Sequence, residues 1–127
     1  MLPADVEGAF RAVLLPVVET RTEVPPAMPG RFCRVSVVGG VRTNPIQSQP
    51  RVLVECWSDQ SRYAAMRLAD ECWARIDAAQ HSTAGGVWFG RIDLSLPTEY
   101  PDPNRATAWR VQFTATATAG LTQGETS

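Results

Sequence analysis

A chain of 127 residues has room for one hydrophobic core, and at this size it buries roughly two-thirds of the surface its unfolded form exposes. With 44% hydrophobic and 20% charged residues, the composition is that of a globular protein and excludes a disordered or fibrous one. A net charge of −1 excludes a general attraction to nucleic acid or to an anionic membrane, and the absence of lysine excludes Schiff-base chemistry.

The longest apolar run, Ala12 to Val18, is far shorter than the ~20 residues of a membrane span and is broken by Pro16. The opening Met1-Leu2-Pro3-Ala4-Asp5 has no basic region ahead of an apolar stretch, so a secretory leader is not expected and the chain is expected to be made and kept in a cytoplasm. Cys33, Cys56 and Cys72 have neither metal-ligand nor redox-motif spacing, and they are expected to be buried free thiols.

In chain order, Asp5 to Leu15 sets Val6, Phe10, Val13 and Leu14 at helical spacing behind an Asp5 cap, with Pro16 at the end. Glu19 to Gly30 carries three prolines and no periodicity, which predicts an extended connector. Arg31 to Val38 alternates as a half-buried strand, Gly39-Gly40 breaks it, and the polar segment Val41 to Pro50 predicts a long loop. Arg51 to Trp57 resumes the alternation as a second strand. Ser58 and Asp59 are placed to cap a helix running to about Ala79, with Ala65, Leu68, Ala69, Cys72 and Ile76 on its inner face and Arg67, Glu71 and Arg75 as an exposed ladder.

After Gly85-Gly86, Val87 to Leu96 and Ala108 to Thr118 predict two more strands, joined through a rigid polar excursion from Pro97 to Asn104. The order α-β-β-α-β-β predicts an α+β fold: one domain over residues 1–118, a mainly antiparallel sheet of four strands with two helices on one face, and a polar tail over 119–127. The uncovered face is expected to show Trp57, Trp88, Arg34 and Arg110 and to be buried partly against a neighbour.

No catalytic, cofactor or metal site is expected. His81 is the sole histidine and lies in a polar loop. Asp59, Asp70, Glu71 and Asp77 fall around a helix instead of converging. Glu55, flanked by Val54 and Cys56 on a strand, is expected to pair with Arg34 or Arg110. Gly85-Gly86-Val87-Trp88-Phe89-Gly90 leads into a strand and not into a helix, so it is no phosphate loop. Arg31, Arg34, Arg42 and Arg51 form a locally basic stretch without a nearby acid, open either to an acidic partner or phosphates or to pairing within the fold. Two further readings, a small-ligand or catalytic α+β domain and a basic nucleic-acid-binding module, rest on the architecture and on these arginines respectively.

A short N-terminal helix, Pro29-Gly30-Arg31-Phe32-Cys33-Arg34-Val35, the Val38-Gly39-Gly40 turn, Pro50-Arg51-Val52-Leu53-Val54-Glu55-Cys56-Trp57 before an alanine-rich helix, and Pro101-Asp102-Pro103 before a closing strand together resemble the tail terminator family of long-tailed actinobacterial phages. The resemblance implies a virion protein at the tail–neck junction. It implies a ring, hexameric in the family, that caps the tail tube, stops its polymerisation and docks to a head–tail stopper or connector protein, while DNA passes through without sequence-specific binding. Head–tail connector and tail-completion proteins of the same particle share the size and the sparse chemistry. The interface is expected to draw on Arg31, Arg34, Arg42, Asn44, Gln47, Arg51, Trp57, Trp88, Tyr100 and Asp102, with no cofactor and no membrane contact.

Overall fold

Asp5 opens the first element because its side chain accepts a hydrogen bond from the Gly8 amide at 3.0 Å, satisfying a donor that the first helical turn leaves free. The computed structural model describes residues 5–24, 30–44, 47–101 and 108–121. Their order is α1 (Val6–Leu14), β1 (Thr20–Arg21), β2 (Arg31–Asn44), β3 (Gln47–Ser58), α2 (Arg62–Ala78), β4 (Ser82–Ala84), β5 (Val87–Leu94), β6 (Thr98–Glu99) and β7 (Trp109–Leu121).

The strands form one curled, mixed sheet of seven, in the order β1-β2-β3-β7-β5-β4, with β6 beside β7. This corrects the expected four-stranded sheet. The three additional strands are two or three residues long, too short to carry a period-two signal. Only β1–β2 is parallel among the pairings; the other five are antiparallel.

A second correction concerns Val41 to Pro50. The expected loop is replaced by the far halves of β2 and β3, with Asn44 paired to Gln47 at the turn. Gly39 and Gly40, read as breakers, sit beside a β-bulge with φ of 156° and 118°, and a side chain on Gly40 would meet the Gln49 carbonyl at 2.3 Å. Pro50 is tolerated for a different reason. Its missing N–H faces β7, and the β3–β7 pairing skips Gln49 and Pro50 while keeping the same register on either side. β7 runs to Leu121, three residues beyond the expected boundary at 118; the remainder of the expected tail lies outside the described residues.

Both helices pack on one face. Alternate residues of the long strands (Val52, Val54 and Cys56; Val111, Phe113, Ala115, Ala117 and Ala119; Val87 and Phe89) meet Phe10 and Leu14 of α1 and Leu68, Cys72 and Ile76 of α2 in one buried core. Burying each large aliphatic or aromatic side chain contributes about 1.5–3 kcal/mol. The alanines of β7 leave room for the helices to approach, and Phe10 meets Phe89 edge-on at 5.5 Å. The α2 cap is Ser61, which accepts from the Ala64 amide at 2.9 Å; Ser58 instead accepts from Gln60 and closes the preceding turn. The expected charge ladder along α2 is also redirected: Glu71 reaches Arg31 at 3.4 Å, and Arg75 donates to the Val13 carbonyl, tying α2 to α1.

Candidate assembly surfaces and a buried thiol cluster

On the face away from the helices, register sets Arg34, Glu55 and Gln112 in one cross-strand row and Phe32, Trp57 and Arg110 in the next. Glu55 is only 3% exposed, and each of its oxygens accepts from one arginine: Arg34 Nη1 to Oε1 and Arg110 Nη1 to Oε2, both at 3.2 Å. Arg110 also donates its Nε to the Tyr100 carbonyl at 2.8 Å and lies 5.6 Å from the centre of the Trp57 ring. Phe32 and Trp57 stack with parallel planes and centroids 4.7 Å apart. A buried carboxylate held between two guanidiniums is a structural clamp, since both of its oxygens are engaged.

Trp57 corrects an expectation. It is 1% exposed instead of displayed, and its Nε1 has no hydrogen-bond partner among the described residues. Trp88 is 39% exposed and packs its ring across Gly90, and Trp109, whose alternation with Val111 and Phe113 predicts the same face as theirs, is equally exposed at the start of β7. Tyr100 lines a hollow of about 400 Å³ on the same face together with Leu53, Leu96, Thr98, Gln112 and Thr114. Leu96, at 81% exposure, is the most exposed large hydrophobic residue described.

The four arginines do not form one patch. Arg31 points to the helix side, where it meets Glu71 and the Val17 carbonyl, whereas Arg34 lies on the opposite face with Glu55 and the Thr22 carbonyl. Arg42 and Arg51 are exposed on the far halves of β2 and β3. Gln47 is half-buried and Asn44 takes part through its backbone pairing; Asp102 lies outside the described residues. His81 is exposed in the turn after α2, with a left-handed φ of 57° and its amide bonded to the Gly90 carbonyl.

The outer edge of β2 forms a second surface. β1 covers it only at Cys33 and Arg34, and beyond that point the described residues supply no strand partner; the Val37 amide is taken by the Glu7 carboxylate at 2.8 Å. Val37, Val38 and Val41 are exposed along this edge, and the register shift between Val37 and Gly39 sets Val41 opposite the exposed Gln49. Unpaired edges with apolar side chains are templates for association.

Folding gathers three residues that sequence spacing keeps apart. Cys33 Sγ lies 3.0 Å from Cys56 Sγ and 3.5 Å from Cys72 Sγ, and all three thiols are buried. The Cys33 amide donates to Glu19, outward from β3, so Cys33 and Cys56 form a non-hydrogen-bonded cross-strand pair, the kind in which side chains approach most closely. Thiol contacts from Cys33 and then Cys56, with help from Arg31 and against the effect of burial, lower Cys72 to about 5. Cys56 is raised by burial and by its two sulfur neighbours. Cys33 is lowered by Cys56 but raised more by Cys72 and burial, and it ends well above its ordinary value. The expected buried free thiols are therefore present, but as one cluster in which Cys72 is the thiol that is lowered.

No family model and no curated protein matches the sequence. Among solved structures, a chain of a structure described as the virion of a native gene transfer agent particle is similar at a TM-score of 0.55 and 13% identity, over 87% of this chain and 84% of that one. The two share a fold across nearly their whole lengths.

Proposed function

We propose that this chain is a non-enzymatic structural protein of a phage-like particle, and specifically a tail terminator that forms a ring on the head-proximal end of the tail tube. The observation that carries the reading is the match of fold, over 87% of this chain, with a chain from a virion. The resemblance of the Pro29–Val35 and Pro50–Trp57 segments to the tail terminator family supports the finer assignment. The surfaces fit the physical demand. A closed ring needs two different faces that meet head to tail, and the molecule offers the β2 edge with Val38 and Val41 on one side and the Leu96–Tyr100 hollow with Trp88 on its open face. In this reading the partners are further copies of the chain, the tail tube protein, and a head–tail stopper or connector protein.

The test is assembly. The purified protein, alone and mixed with tail tubes, is followed by light scattering and negative-stain electron microscopy. Rings of about six copies at tube ends are expected, and Val41→Asp is expected to lose them while remaining folded. A monomer at every concentration that leaves tube ends bare overturns the proposal.

A further inference from the structure

The Cys33–Cys56–Cys72 cluster has no part in the assembly reading and stands independently of it. From its geometry we infer that it is a peroxide-responsive modification site, in which Cys72 takes up the oxidant and the final product is a Cys33–Cys56 disulfide between β2 and β3.

Three features favour this over a metal site. Two thiolates bound to one soft metal at about 2.3 Å stand roughly 3.8–4.0 Å apart, whereas Cys33 and Cys56 are at 3.0 Å. The cluster also holds no fourth ligand, since the described histidine and carboxylate groups contribute none to it. Finally, a non-hydrogen-bonded pair brings its Cα atoms to about 4.5 Å, inside the range a disulfide spans.

The positions assign an order of events. Cys72 sits at the end of the Cys56–Cys33–Cys72 chain of sulfurs and is the thiol that its neighbours lower; the thiolate is the nucleophile toward a peroxide, which is small enough to enter as the packing of α2 opens transiently. Its sulfur attacks one peroxide oxygen, the O–O bond breaks, and the second oxygen leaves as water after taking a proton, giving a Cys72 sulfenic acid. Cys33, 3.5 Å away, attacks that sulfur; the S–O bond breaks, water leaves with the Cys33 proton, and a Cys33–Cys72 disulfide forms. Cys56, 3.0 Å from Cys33, then displaces Cys72 by thiol–disulfide exchange, returning the Cys72 thiolate and releasing the Cys56 proton. In sum, two thiols and one hydrogen peroxide become one disulfide and two waters. Cys33 is central because its sulfur lies 3.0 Å from that of Cys56 and 3.5 Å from that of Cys72.

The experiment is helped by the arginines, which place each cysteine in a separate tryptic peptide (residues 32–34, 52–62 and 68–75). The folded protein is treated with limiting hydrogen peroxide, blocked with a maleimide and mapped by mass spectrometry. The expected product is the crosslinked pair 32–34 with 52–62 and a free Cys72, with an unfolding midpoint raised by about 5–10 °C. The rate is expected to fall as pH drops through about 5, as Cys72 gains its proton. Cys72→Ala should slow crosslinking at least tenfold, and Cys33→Ala should abolish it. Oxygen adducts without a crosslink, or thiols that stay reduced in the folded wild type, overturn the inference. So does a one-to-one cadmium complex with a thiolate absorption band, which would assign the sulfurs to a metal.

Discussion

The two faces of the sheet are made by the same strands, yet they solve different problems. On the covered face, β3 and β7 present Val52, Val54, Val111, Phe113 and three alanines to the helices, and the stabilisation comes from excluded water and close packing. On the open face the intervening residues are Leu53, Glu55, Arg110, Gln112 and Thr114, and order comes from a carboxylate clamped by two guanidiniums and an aromatic stack. The covered face is self-sufficient. The open face combines one rigid polar cluster with exposed Trp88, Leu96 and Tyr100, which suits a surface completed by another protein.

Five substitutions sharpen this contrast. The largest effect is expected from Phe113→Ala on the covered face, which leaves a cavity between the helices and the sheet and should cost about 3–5 kcal/mol in urea unfolding. Arg110→Ala removes one arm of the Glu55 clamp, the cover of Trp57 and the bond to Tyr100, for about 2–4 kcal/mol. Its combination with Glu55→Gln should cost less than the sum of the two, as a double-mutant cycle measures. Gly40→Ala forces a side chain against the Gln49 backbone at a positive φ and should cost about 1–3 kcal/mol, read from the thermal midpoint. The smallest effect is expected for Val41→Asp on the exposed β2 edge, within about 0.5 kcal/mol of wild type in denaturant while assembly is lost. If Val41→Asp unfolds the protein instead, the edge belongs to the core and the distinction between the two kinds of surface fails.

The elements with strong periodicity were legible in the sequence: α1 with its Asp5 cap, the inner face of α2, and the near halves of the long strands with Cys33, Val35, Val52, Val54, Val111 and Phe113 pointing inward. The pairing of Glu55 with arginine was legible as well, because a lone acid on an apolar strand needs a cation; that it takes both Arg34 and Arg110 was not. The strand count escaped because β1, β4 and β6 are recruited by neighbouring backbone and not by a pattern of their own. The long β2–β3 hairpin escaped because glycine and proline act as breakers in local reasoning, whereas a bulge and a skipped rung absorb them here. Trp57 looked like a displayed aromatic because strand alternation gives a face but not what lies on it.

What the sequence settled by itself was local: which residues alternate, which recur at helical spacing, and that lysine and clustered histidine chemistry are missing, since all of these depend on neighbours a few positions away. Contacts across the chain were decided only by the tertiary structure. Positions 33, 56 and 72 meet because an antiparallel register and one helix face bring them together, and the four arginines part because β2 sends Arg31 and Arg34 to opposite sides. Register and packing angle are properties of the assembled sheet, and no window of sequence contains them.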